Sequence, residues 1–203
     1  MKKSLLLIFV FFFTLTAAKA KKELSGIIVY EKDTVAVTFL IPINVFTLSP
    51  KYLKLQEGVK YLNAEGKRKK IYPEEAKEIQ FEYLGENIRM ISKKYTVQGV
   101  FFSSTSVIFL KMEVDGYLKL FLHQSTQTSS NFNGQGSTSL VTSYVVQKGN
   151  GEFKKLPTIE FRYEMTTYFN DCPELVTKLE EKVFRKRDRV KIVEFYNANC
   201  HNN

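Results

Sequence analysis

Residues 107–123 read VIFLKMEVDGYLKLFLH, and they contain the clearest hairpin signal in the sequence. The pair Asp115-Gly116 separates two runs that are rich in aliphatic and aromatic residues. A two-residue hairpin turn needs positive φ angles, which Asp-Gly tolerates well, so the pair predicts antiparallel strands at Val107–Val114 and Tyr117–His123. We therefore expect a sheet that is built from hairpins.

The same pattern of aliphatic and aromatic runs extends on both sides of this hairpin, from Gly26 to about Tyr163. Short polar turns separate further paired runs and strands, at Gly26–Tyr30 with Thr34–Ile41, Gln80–Leu84 with Ile88–Ser92, Leu140–Gln147 and Phe153–Tyr163. Two short extended pieces are expected within residues 52–63, and Pro73 with the two glutamates that follow it suits a single helical turn. The sequence predicts a mainly β protein, with an antiparallel β-sandwich or partly closed barrel over residues 21–165.

One interruption of this pattern is the segment 125–139, which reads STQTSSNFNGQGSTS. Its low complexity predicts a mobile loop or an extended polar tip that takes part in binding. The Gly134-Gln135-Gly136 triplet precedes a strand instead of a helix, and no Gly-Lys-Ser/Thr follows it. It therefore does not indicate a nucleotide site, and no cofactor is expected.

The pattern changes near Asn170, and residues 166–203 are expected to form an α-helical hairpin packed on the β domain. Asp171 is a candidate cap for the first helix, whose first turn contains Pro173. Leu175, Leu179 and Val183 are spaced four apart, on one helix face. Asp188 is the candidate cap of a second helix, with an apolar edge formed by Val190, Val193 and Tyr196.

Cys172 and Cys200 lie at the same end of this predicted antiparallel helix pair, so a disulfide is expected between them. Closing a loop of this length contributes roughly 3.6 kcal/mol in the chain-entropy model. A metal site made of Asp171, Cys172, Cys200 and His201 is the alternative, but it lacks the Cys-x-x-Cys spacing of structural zinc sites. Free thiols are the third possibility, and we expect no metal.

The N-terminal residues 1–20 have the pattern of a secretory signal peptide. Lys2 and Lys3 precede an apolar run from Leu5 to Leu15, and Ala18-Lys19-Ala20 fits a cleavage site. An uncleaved anchor is the alternative, but the run is shorter than a bilayer-spanning helix needs. We expect cleavage after Ala20, a periplasmic or secreted protein, and no transmembrane span in the mature chain.

Several stretches of the mature chain together resemble uncharacterised secreted β-rich proteins of Bacteroidota. The resemblance implies export, a β-rich body and a capped C-terminal hairpin, and it carries no activity or catalytic residue. The stretches are DTVAVTFLIP (residues 33–42), residues 55–79, FEYLGENIRMIS (residues 81–92), YFNDCPEL (residues 168–175) and VEFYNANC (residues 193–200).

The candidates for hydrolytic chemistry are few, because the chain has only two histidines. His123 is near Ser125, Ser129 and Ser130, but no nucleophile-elbow pattern surrounds them. The carboxylate pairs Glu74 with Glu75 and Glu113 with Asp115 are sequence neighbours of a kind found on any surface. No catalytic residue is therefore assigned, and a secreted hydrolase of envelope or environmental polymers remains the alternative function.

Charge is the remaining indication of a partner. The formal net charge is +9, and it falls to +6 when the three lysines of the signal peptide are removed. Two basic clusters, Lys67–Lys70 and Arg185–Lys191, suit a solvated surface or an anionic partner. Because export separates the chain from cellular nucleic acid, we expect an envelope protein or an anionic glycan as the partner of a non-catalytic binding or structural module.

Overall fold

The computed structural model describes residues 21–98, 103–130 and 136–200, so the expected signal peptide lies outside the described residues. The described part forms ten strands, four helices and two single 3-10 turns. The strands are β1 (Lys21–Val29), β2 (Thr34–Pro42), β3 (Val59–Leu62), β4 (Arg68–Ile71), β5 (Glu78–Tyr83), β6 (Glu86–Gln98), β7 (Ser103–Val114), β8 (Leu118–Ser130), β9 (Gly136–Lys148) and β10 (Phe153–Lys155). The helices are α1 (Tyr52–Gln56), α2 (Phe161–Tyr168), α3 (Pro173–Glu180) and α4 (Arg189–Asn199), and the 3-10 turns are Pro73–Glu75 and Lys186–Asp188.

All ten strands belong to one antiparallel sheet, in the order β10-β9-β8-β7-β6-β5-β1-β2-β3-β4. The mainly β class with a helical C-terminus is confirmed. The sheet does not close into a barrel. It is nevertheless strongly curled, because the rings of Tyr95 on β6 and Phe153 on β10 are 5.5 Å apart although three strands lie between them.

The Asp115-Gly116 hairpin is confirmed, since β7 and β8 pair on either side of it. Gly116 has a φ of 156°, and an added Cβ would meet the side chain of Asn197 on α4 at 2.4 Å. The amide of Asn197 also donates to the carbonyl of Leu118 and accepts from its N–H. Glycine at this turn therefore lets α4 dock on the start of β8.

The two faces of β8 pack against different cores, as strand alternation requires. Leu118 and Leu120 face the C-terminal helices, and Leu122 on the same face joins the apolar core under β1–β7 and α1. Phe121 lies on the opposite face, in a smaller cluster with Tyr95 and other buried side chains. The sheet is thus covered on parts of both faces.

Two local expectations are wrong, and a third is met by one of its two alternatives. Residues 125–130 and 136–139 are paired parts of β8 and β9, not a loop, so the extended-tip alternative describes them better. The expected strand Phe153–Tyr163 ends at Lys155, and α2 begins at Phe161. Of the two extended pieces expected within residues 52–63, only β3 is a strand, because Tyr52–Gln56 is the helix α1.

The C-terminal region contains three helices where two were expected, because α2 precedes α3 and α4. Cys172 and Cys200 lie at bonding distance with their Cα atoms 5.4 Å apart, at the start of α3 and the end of α4. Leu175 and Leu179 are buried, as the spacing predicts, but Val183 lies beyond α3 and is exposed.

Candidate functional site

His123 is buried beneath neighbouring side chains instead of opening onto a cleft. Its Nδ1 lies 3.3 Å from the hydroxyl of Ser143 on β9, and its ring packs at a tilt against Tyr95, with the ring centres 4.8 Å apart. Burial, together with the charge of Lys155, lowers the pKa of the imidazole. Among the described residues no third side chain hydrogen-bonds the imidazole, so no triad is assembled. The serines expected beside it, Ser125 and Ser129, are not its partners.

Three of the four carboxylates named from the sequence have structural partners. Glu75 accepts from the backbone N–H of Tyr72 and so caps the 3-10 turn Pro73–Glu75. Glu113 forms an ion pair with the buried Lys111. Asp115 accepts from Arg89, and this hydrogen bond lowers the pKa of Asp115.

The described residues of the alternative metal site also have partners within the chain. Its position predicts that Asp171 caps α3, but its side chain makes no capping hydrogen bond. The carboxylate of Asp171 instead accepts from Lys148 at 2.8 Å and from the hydroxyl of Tyr196 at 2.5 Å. Burial by itself would raise the pKa of Asp171, but these two hydrogen bonds outweigh it and the pKa is lowered. The two cysteines pair with each other, and His201 lies outside the described residues. The described part of the chain holds no metal-binding cluster.

The first basic cluster lies on the edge of the sheet. Arg68, Lys69 and Lys70 are exposed on β4, the outermost strand, and the ammonium of Lys70 sits 4.2 Å from the ring centre of Tyr72. Charged side chains on a free edge prevent strand pairing with another chain. This cluster therefore has a structural role that accounts for it.

The second basic cluster borders an open groove between α2 and the chain that joins α3 to α4. The groove has a volume of about 1200 Å³. Arg162 and Tyr163 line it from the first turn of α2, and Lys182 lines it from the opposite side. We call it the basic groove, and its full lining is Glu160, Phe161, Arg162, Tyr163, Thr166, Glu180, Lys182, Phe184, Arg185 and Lys186.

The cations of the basic groove lack acidic partners. In the parts of the chain that the structure describes, no carboxylate lies within ion-pair distance of Arg162, Lys182, Arg185 or Lys186. Arg185 and Lys186 make only 3.4 Å contacts to the backbone carbonyls of Lys182 and Thr158. Four exposed cations and two carboxylates, from Glu160 and Glu180, leave the lining positive.

Aromatic rings form part of the same lining. Tyr163 is largely exposed, while Phe161 and Phe184 are half-buried. Phe184 packs edge-on against Phe195 of α4, with the ring centres 5.7 Å apart. By contrast, Arg189 of the same basic cluster is outside the groove, because its guanidinium stacks 3.6 Å from the ring centre of Tyr144 and donates to its hydroxyl.

Sequence reasoning found half of this site. The sequence predicts the basic run Arg185–Lys191, but it places Phe161, Arg162 and Tyr163 in an expected strand, where the structure has the start of α2. The missed indication is the 161–168 stretch FRYEMTTY, in which Phe161, Met165 and Tyr168 recur at helical spacing.

No family model, curated protein or solved structure matches this chain. Within the described residues, no helix is both long enough and apolar enough to cross a bilayer.

Proposed function

We propose that the protein is an exported, non-catalytic binding module of the cell envelope that holds an anionic glycan in the basic groove. The observation that carries the proposal is the set of four unpaired cations beside the exposed ring of Tyr163. Cations without internal partners gain more from an external anion than cations that must first leave a carboxylate.

An anionic glycan matches this lining in two respects. Its carboxylate or sulfate groups accept charge-assisted hydrogen bonds from Arg162 and Arg185, whose planar guanidinium groups suit such anions. The apolar face of a sugar ring packs on an aromatic side chain, and Tyr163 offers an exposed one. The groove is open to solvent and not an enclosed cavity, so a polymer can reach it.

The proposed role is binding because arginine and lysine side chains stay protonated at neutral pH. They hold an anion in place, and they do not supply the base that hydrolysis needs. Neither His123 nor the carboxylate pairs line the groove.

Binding of polygalacturonate, with neutral dextran as the comparison polymer, tests the proposal. The protein is a chain that starts at Lys21, which contains every described residue. The test variant is Arg162→Gln/Lys182→Gln, and the matched control is Arg187→Gln/Lys191→Gln. The control removes the same charge from exposed residues of the neighbouring basic cluster that do not line the groove.

We expect the test variant to bind polygalacturonate at least about tenfold more weakly, because it loses two charge-assisted contacts. The control should change affinity by about twofold or less, and added salt should weaken binding of the original protein. Equal losses in both variants would mean that overall charge attracts the polymer and that the groove does not. Equal affinity for dextran would contradict the anionic ligand class.

A further inference from the structure

The loop between β2 and α1 presents three large apolar side chains to solvent. Phe46 is 93% exposed, Leu48 is 60% exposed and Val45 is 52% exposed. Single exposed apolar residues are ordinary on protein surfaces, but three within four positions form a patch. We call these three residues the apolar loop.

The apolar loop is held in its shape by hydrogen bonds. The side-chain oxygen of Asn44 accepts from the backbone N–H of Phe46 at 3.0 Å and of Thr47 at 3.4 Å. The N–H of Asn44 donates to the carbonyl of Ser49 at 2.9 Å, which closes the loop at its base. These hydrogen bonds fix the backbone conformation that exposes the apolar side chains.

Two leucines at this end of the sheet adopt a backbone conformation that favours glycine. Leu48 has a φ of 52°, and Leu84, in the turn between β5 and β6, has a φ of 53° and is 74% exposed. The hydroxyl of Tyr83 donates to the carbonyl of Leu48 at 2.7 Å and so ties the loop to that turn. Each leucine combines backbone strain with exposed apolar surface, and such combinations occur at functional sites.

Lysines flank the apolar loop. Lys51 lies three residues after Leu48, and its N–H donates to the carbonyl of Pro42 on the other side of the loop base. Lys22 lies 5.1 Å from the ring centre of Tyr83, the residue that holds Leu48. Neither lysine has a carboxylate partner among the described residues. Alternation along β1 directs the side chain of Glu23 to the opposite face of the sheet from Lys22.

We propose that the apolar loop inserts into the surface of a lipid bilayer with anionic headgroups. The loop projects outward, so it suits a fluid layer into which side chains sink. The lysines at its base would then lie at the headgroup level, where they attract anionic lipids. This inference does not depend on the basic groove.

Co-sedimentation with vesicles tests this surface, using the chain that starts at Lys21 and vesicles of phosphatidylcholine with or without phosphatidylglycerol. The test variants are Phe46→Ser and Leu48→Gly, and the matched control is Ile159→Ser, at a 78% exposed position outside the loop. Glycine at position 48 relieves the positive φ, so this variant should be at least as resistant to urea as the original protein.

We expect the original protein to bind the vesicles that contain phosphatidylglycerol more tightly than the neutral ones. Phe46→Ser should weaken binding about tenfold, and Leu48→Gly should weaken it without loss of stability. Ile159→Ser should bind as the original protein does. Absence of vesicle binding, or equal binding by Phe46→Ser, would overturn the proposal. A lipid-free dimer that Phe46→Ser converts to a monomer would assign the loop to a second copy of the chain instead.

Discussion

Gln56, at the end of α1, hydrogen-bonds the backbone of β8 where β7 and β8 separate. Paired positions between these strands stop at Lys111 and Leu122, although β8 continues in register with β9. The side chain of Gln56 donates to the carbonyl of Gln124 at 2.8 Å and accepts from its N–H at 2.7 Å. One buried amide thus satisfies both backbone groups of Gln124, two residues beyond the last position of β8 paired with β7.

Replacing Gln56 with leucine keeps similar bulk but leaves the N–H and carbonyl of Gln124 without these partners. Because an unsatisfied buried polar group costs about 1–3 kcal/mol, we expect the free energy of unfolding in urea to fall by about 2 kcal/mol. The matched control is Gln127→Leu, at an exposed position on β8, the strand that contains Gln124. This control should change the free energy of unfolding by less than about 0.5 kcal/mol. A Gln56→Leu protein as stable as the control would show that solvent satisfies Gln124 equally well.

At the scale of elements, the structure protects the two outer edges of its sheet. β10 has only three residues, two of them lysines, and β4 has four, with three cations. Short edge strands and charged side chains on them both prevent pairing with a strand of another chain. The basic run that the sequence presents as a candidate binding surface therefore lies where a free edge needs charge.

The cysteine pair joins the start of α3 to the end of α4. If Cys172 and Cys200 are bonded, the link constrains the unfolded chain over a sequence separation of 28 residues. We expect reduction to lower the free energy of unfolding by about 2–4 kcal/mol, measured in urea with and without dithiothreitol.

The double variant Cys172→Ala/Cys200→Ala serves as the control for this measurement. Its stability should match that of the reduced protein and should not respond to dithiothreitol. Two free thiols in protein purified without reductant would contradict the disulfide.

The sequence predicts those elements whose determinants are local. The Asp115-Gly116 turn fixes its hairpin because the turn conformation depends on those two residues, and Pro73 sets its helical turn in the same way. The composition of the 125–139 segment leaves a loop and an extended tip open, because serine and threonine are common in loops yet also pair across strands, as the hydroxyls of Ser129 and Ser137 do at 3.0 Å.

The basic groove is harder to predict for a different reason. Arg162 and Lys182 are twenty residues apart in the sequence. They line the same groove because α2 packs beside α3. Packing of that kind depends on the whole C-terminal core around Phe169 and Leu175, and no local pattern specifies it.

At the scale of the whole molecule, we propose two separate surfaces on one exported protein. The basic groove lies among the C-terminal helices, and the apolar loop lies between β2 and α1. Each is tested by variants that leave the other unchanged, so failure of one proposal does not remove the other. Of the two surfaces, the basic groove is the one that defines the proposed function.

The most direct test of that claim is an amide chemical-shift map of the isotope-labelled chain from Lys21 during titration with polygalacturonate. We predict saturable shifts at residues 160–166 and 180–186, with little change on β4, whose cations are equally exposed. Shifts that are absent from these two segments, or that spread over β4 and the groove alike, would contradict the account.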